Sequence, residues 1–279
     1  MTHALQLVEK VAAFAFFLAS MLGSGLTLTP QSLLAPLRRL GLVIFVLALN
    51  FLLAPAFAWL LTAVIPLQRG HAIALLLLGG AAGAPFLPKL VESSRGDLGV
   101  AAALMVLLTA GTILFLPFGL PIMIPGLHAD AWAIARPLLL LIVLPLVTGM
   151  LIKGWAASLA SRAAPILASI SNAALLLLFV LLLTLNFKAL LGVVGSGAIL
   201  AAITYFAGLF ALSWLLSRPF EHRRIFALAT VARNFGAALV PAVSNFTDKK
   251  ITVALIVNAI VGLIFSFLAA AWLRKRESS

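Results

Sequence analysis

The chain has 279 residues, of which 64% are hydrophobic and 9% charged, with a net charge of +12 and no cysteine. Water-soluble domains carry about a quarter of their residues as charges, so a soluble fold is excluded, and the missing thiols exclude disulfides, thiolate metal sites and cysteine redox chemistry. The cations stand in ones, twos and threes beside apolar blocks, not on one face, which excludes nucleic acid as a partner and points to the lipid bilayer.

Nine apolar blocks follow one another, at about Val8 to Leu28, Leu40 to Ile65, Ala72 to Leu90, Leu98 to Leu120, Trp132 to Ile152, Ala163 to Leu185, Leu191 to Leu216, Ile225 to Val243 and Ile251 to Leu273. Each is long enough to cross roughly 30 Å of hydrocarbon as a helix. Backbone groups in lipid must be satisfied within a helix or a closed barrel, and runs such as LLLLFVLLL at 175–183 lack period-two alternation, so nine transmembrane helices are predicted. No interval between blocks is long enough to fold separately, and residues 1–279 read as one all-α membrane domain. Block one, with Lys10 ahead and Ser20, Gly23, Ser24 and Gly25 behind, has the outline of a secretory signal. It runs on through Leu26 and Leu28 without a cleavage site and is read as a span.

Basic residues bias which loops stay in the cytoplasm. An external N-terminus places Arg38, Arg39, Arg95, Lys153, Arg162, Arg218, Arg223, Arg224, Arg274, Lys275 and Arg276 inside. Only Lys10, Arg69, Lys188, Lys249 and Lys250 then lie outside, with Arg136 near that interface. The expected protein is multi-pass, in the plasma or inner membrane, with its C-terminus cytoplasmic.

Block three reads LLLLGGAAGAPFLPKLV and holds Gly79, Gly80, Gly83, Pro85 and Pro88 within ten residues. Proline in a helix interior costs about 3 kcal/mol, so a break is predicted around Gly83, Pro85 and Pro88. On block four, Thr109 and Thr112 stand three apart and either line the interior or bond their own helix backbone. Asn172, Asn186 and Asn258 are expected to bond between helices, while Trp132, Trp155 and Trp272 near span ends fit an interfacial aromatic belt. Block eight contains ATVARNFGAALVPAV, where Gly236 and Pro241 predict a second break. Gly83-Ala-Pro-Phe-Leu-Pro88 and Gly236-Ala-Ala-Leu-Val-Pro241 share the pattern Gly, Ala, any, apolar, apolar, Pro. Block three enters from outside and block eight from inside, so the halves, about 7–120 and 131–273, read as inverted repeats.

Each break carries a cation: Lys89 follows Pro88, and Arg233 with Asn234 precedes Gly236. The acids Glu9, Glu92, Asp97, Asp130, Glu221, Asp248 and Glu277 all fall in loops or at block ends. An ionisable group in the bilayer costs roughly 2.5 to 3.5 kcal/mol and faces a cavity or a partner. Arg233 lies about 12 Å below the inner face, near mid-membrane, where it either meets an anionic ligand or ties up carbonyls freed at a kink. Lys89 lies about 27 Å from the outer face, so it reaches the interior only through strong unwinding and otherwise snorkels to the inner interface.

At these segments the chain resembles the bile acid:sodium symporter family, which implies a core bundle, a panel bundle and two broken helices that cross in the core. GSGLTLTP (Gly23 to Pro30), GGAAGAPFLPKLVESSRGDLGVAAALMV (Gly79 to Val106), Pro117 closing block four and ATVARNFGAALVPA (Ala229 to Ala242) carry the resemblance. The family's usual sodium ligands are a Ser-Asn pair, hydroxyls on the next helix, and a Glu and Gln four apart. Matching the segments puts Leu87 and Pro88, Ala101 and Met105, and Ala229 and Arg233 there instead. Asn50 and Thr230 remain at matching positions with a side-chain oxygen, and Asn234 keeps the polar residue after the Gln. Sodium wants oxygen ligands as other hard cations do, so no metal and no cofactor are expected.

The expected activity is secondary transport of a small organic anion by alternating access, the Arg233 charge standing where sodium would be bound. The expected substrate-binding residues are Arg233, Asn234, Lys89, Asn50, Thr230, Thr109 and Thr112. Sodium-coupled symport and a passive channel are the alternatives, and the oligomeric state is left open. An enzyme is not expected, because His3, His71, His128 and His222 stand singly in loops or at block ends with no buried acid.

Overall fold

A computed structural model describes residues 2–29, 39–124, 132, 135–136, 139–185, 187–193 and 195–275. The described residues form helices joined by short turns: α1 (Thr2–Thr27), α2 (Leu40–Val64), α3 (Arg69–Gly80), α4 (Leu87–Ser93), α5 (Leu98–Met123) and α6 (Leu139–Trp155). The chain continues through α7 (Ala157–Leu185), α8 (Phe187–Val193), α9 (Ala198–Leu216), α10 (Arg223–Val231), α11 (Phe235–Asn245) and α12 (Lys249–Lys275). Six stretches are long and apolar enough to cross a membrane, one of them running through both α10 and α11. Val11–Thr27, α3 and α6 are shorter apolar helices.

Local chemistry accounts for where these helices bend and start. Wide π turns at Leu49–Leu53 and Leu139–Val143 directly precede Pro55 and Pro145. A proline ring crowds the carbonyl four residues back, and a wider turn relieves that crowding. Asp97 caps α5, its carboxylate accepting from the Gly99 and Val100 amides at 2.7 and 3.0 Å.

Block three is two helices, α3 and α4, interrupted in the stretch that holds Gly83 and Pro85. Three boundaries differ from the sequence expectation. Block seven is divided by a turn whose Gly195 and Gly197 take positive φ of 87° and 79°. Block six begins earlier, at Ala157, and carries Pro165 inside the helix. Pro117 does not close block four, because α5 continues through Pro117 and Pro121 to Met123. Neighbouring structure supports such a turn despite the lost hydrogen bond.

The helices pack in two groups. In the first, α1 lies along α6 and α7. A Cβ on Gly25 would overlap the Leu146 carbonyl, and one on Gly149 would overlap that of Leu22, so both must be glycine for α1 and α6 to approach this closely. In the second, α2, α3, α5, α9, α10, α11 and α12 surround two apolar clusters that bury Tyr205, Phe206 and Phe226 completely. The groups meet where Ala12 of α1 and Leu178 and Leu181 of α7 pack on Ile256 of α12, and where Met21 of α1 and Leu146 of α6 join the larger apolar cluster of the second group.

Candidate functional site

Two interruptions of the helical backbone lie against each other inside the second group. The first, at residues 81–84 between α3 and α4, is non-helical, starting from an extended Ala81. Gly83 has φ +78°, and a Cβ there would collide with the backbone of Thr109, so glycine is required twice over. The second, at residues 232–234 between α10 and α11, uses two successive three-residue turns, the Arg233 amide donating to Val231 O at 2.9 Å and the Phe235 amide to Arg233 O at 3.1 Å. The Asn234 amide donates to Ala81 O at 2.9 Å and the Asn234 Nδ2 to Gly83 O at 3.1 Å, which joins the two interruptions directly. The Asn234 Oδ1 accepts from the Ala237 amide at 3.0 Å and so caps α11 as well.

Arg233 is 3% exposed, and among the described residues its guanidinium donates to neutral oxygens. Its Nε donates to Leu78 O at 3.1 Å and one terminal nitrogen to Gly79 O at 2.5 Å. The other donates to Asn50 Oδ1 at 3.0 Å and Thr230 O at 3.3 Å. Leu78 and Gly79 belong to the last turn of α3, and Thr230 to the last turn of α10. Each helix C-terminus carries about half a negative charge in its unpaired carbonyls, so two such ends balance about one guanidinium. These helix ends supply a counter-charge that the sequence did not reveal.

The other expected site residues are placed as follows. The Asn50 Nδ2 donates to Val46 O at 3.0 Å, which turns its Oδ1 toward Arg233. The Thr230 hydroxyl is taken by Phe226 O at 2.7 Å and by Ser213. Thr109 and Thr112 do not fold back on their own helix: Thr109 donates to Gly83 O at 3.0 Å, and Thr112 donates to Ala82 O at 2.9 Å and accepts from the Ala82 amide at 2.8 Å. Gly236 and Pro241 sit inside α11, not at the interruption, which falls just ahead of them. Gly236 serves close packing, since a Cβ there would overlap the Phe17 ring. Pro88 lies in the first turn of α4, where its missing amide is harmless. Lys89 is exposed on α4, away from the guanidinium's partners.

A crevice of about 710 Å³ separates the two helix groups, with α1 and α7 on one wall and α4 and α5 on the other. Lys89 and Glu92 stand on the α4 wall; Ser20, Ser24, Ser171 and Asn172 stand on the α1 and α7 wall. A smaller pocket of about 70 Å³ reaches from the crevice to Arg233 and Asn234, and Phe16, Pro85, Phe86 and Leu175 line both spaces. Asn172, expected to bond another helix, faces this crevice instead. The crevice wall was not visible in the sequence, because single serines in an apolar helix look the same whether they face lipid, protein or a cavity.

The model of the sodium bile acid symporter family matches residues 14–193, well over half of the chain. The chain belongs to the sodium bile acid symporter family. Membership makes this symporter-family protein an integral, multi-pass membrane transporter of the bile acid symporter type. The match takes in α7 and the first interruption and stops at Val193, so the second interruption rests on its own geometry. Among curated proteins, none matches this chain.

Proposed function

We propose that this transporter carries a small organic anion by alternating access, with the crevice between the two helix groups as the substrate path. The crevice is the observation that carries the reading: it runs between the two helix groups and leads to a pocket at the paired interruptions. Its walls are the C-terminal halves of α1 and α12, the N-terminal halves of α5 and α7, and α4. With the N-terminus outside, all of these ends are cytoplasmic, so the molecule is inward-open. α1, α6 and α7 act as the panel and the remaining helices as the core. Nine spans, inverted repeats and crossing of the two broken helices complete the architecture we assign. Lys89 on the crevice wall provides the charge that meets the anion's head.

Arg233 acts as a tethered cation in place of a bound one. Four oxygens, from Leu78, Gly79, Thr230 and Asn50, converge on it from three segments, which is the kind of donor set a hard cation takes. A guanidinium that never leaves holds the two helix ends together without sodium, so substrate movement is sodium-independent. Arg233 and Asn234 therefore serve the site by holding its frame, and Lys89 by contact.

Purified protein in liposomes tests both parts. Saturable uptake of a labelled organic anion with counterflow, equal in sodium and in choline buffer, is the expected result. Uptake without saturation or counterflow indicates a channel and removes the carrier reading, whereas counterflow that demands sodium leaves the carrier and removes the tethered cation.

A further inference from the structure

Most described hydroxyls along α1, α6 and α7 fall into two sets; the exceptions are Thr27, which lines the crevice and donates to Ser24 O at 2.8 Å, and Ser158, which lies outside it and makes no such bond among the described residues. Thr148, Ser161, Ser169 and Thr184, all outside the crevice, donate to carbonyls of their own helices at 2.8 to 3.0 Å. Ser20, Ser24 and Ser171 line the crevice, and their hydroxyls take no partner among the described residues. Ser171 is only 7% exposed, and what exposure it has is to the crevice. In apolar surroundings a helical serine gains by bonding the carbonyl three or four residues back, and a buried hydroxyl left unpaired is unfavourable. Hydroxyls that decline that bond at a cavity wall are directed at whatever fills the cavity.

Local packing gathers them into one patch. Ser20 and Ser24 are four apart and share a face of α1, one turn above the other. Between them Gly23 has no side chain, and a Cβ there would stand 3.2 Å from the Leu167 Cβ, so α7 can come close. Ala168, Ser171 and Asn172 of α7 then continue the wall that Ser20 and Ser24 begin. Across the crevice stands Lys89, while the adjoining pocket is mostly apolar, lined by Phe16, Phe17, Leu178 and Ile260, with Arg233 and Asn234 at its inner end.

We propose that Ser20, Ser24, Ser171 and Asn172 form a panel-side recognition patch for hydroxyl or carbonyl oxygens of the substrate, which makes the preferred substrate a hydroxylated or oxo-substituted organic anion. This rests on the anion-carrier reading and narrows it. A carboxylate or sulfonate meets Lys89, its short hydrocarbon part enters the apolar pocket, and its second polar group pairs with the serines. An unsubstituted anion of the same carbon skeleton leaves three hydroxyls and an amide facing hydrocarbon, so discrimination comes from the unsatisfied site as much as from the bond made.

The alternative use of serine here is only as a small residue that lets helices approach, and alanine serves that use equally well. The test is counterflow in liposomes with matched pairs of labelled anions: propionate with lactate and pyruvate, butyrate with 3-hydroxybutyrate, succinate with malate, and ethanesulfonate with isethionate. Wild-type protein is expected to favour the oxygen-bearing member of its best pair by about tenfold or more, and Ser171→Ala and Ser20→Ala to reduce that preference by about three- to tenfold each. Thermal midpoints of the variants in detergent should stay at the wild-type value. Equal or better transport of the unsubstituted member, or alanine variants that keep the preference, overturns the patch and leaves the carrier intact. Failure of every pair to show counterflow overturns the anion carrier and the patch together.

Discussion

The two interruptions solve one physical problem in opposite ways. At residues 81–84 the backbone leaves the helix through glycine and proline, and its carbonyls are satisfied from outside: Asn234 bonds Ala81 and Gly83, Thr112 bonds Ala82, and Thr109 bonds Gly83. At residues 232–234 there is no glycine, no proline and no positive φ. There the side chains do the work, Arg233 and Asn234 reaching out to the helix end and the non-helical backbone of the other interruption. One segment exposes acceptors and the other brings donors. Neither is stable in hydrocarbon alone, since each unsatisfied backbone group there costs several kcal/mol, and the pair forms a single unit.

The largest expected effect comes from cutting the donor side. Arg233→Met removes four hydrogen bonds and leaves two helix ends facing each other without a cation. We expect a loss on the order of 5 kcal/mol, read as a collapse of the thermal midpoint and of monodisperse yield in detergent. Arg233→Lys should recover only part of it, because an ammonium restores the charge and not the planar fork.

A smaller loss is expected on the acceptor side. Gly83→Ala puts a Cβ at a left-handed residue and against the Thr109 backbone, for about 3 kcal/mol by strain and overpacking together. The same denaturation measurement checks it, and a Gly83→Ala midpoint at the wild-type value would break the contrast between the two interruptions. The smallest effect belongs to Pro88. Because it occupies the first turn of α4, Pro88→Ala should move stability by less than about 1 kcal/mol, although in the sequence it looks as much a helix breaker as Pro85.

Much of this was legible in the residues. Gly79, Gly80, Gly83 and Pro85 signal an interruption because their backbone preferences are local properties, and one does lie beside them. The same logic points to Gly236 and Pro241 for the second interruption, yet it precedes both. What drives it is the set of partners that Arg233 and Asn234 find across more than 150 residues of sequence, and no local propensity encodes that. The hydroxyls of Thr109 and Thr112 were weighed against their own helix for the same reason, although their partners lie on the first interruption.

The sequence by itself determined the solvent, the helical class and the rough limits of the spans. Hydrophobic length, charge placement and glycine and proline chemistry act residue by residue or over a single turn. Only the tertiary structure decided where the buried charge is balanced, which serines face a cavity and which face lipid, and that Lys89 belongs to the crevice wall and not to the guanidinium's shell. Those outcomes depend on carbonyls and helix ends brought together from distant parts of the chain, and a backbone carbonyl has no letter in the sequence.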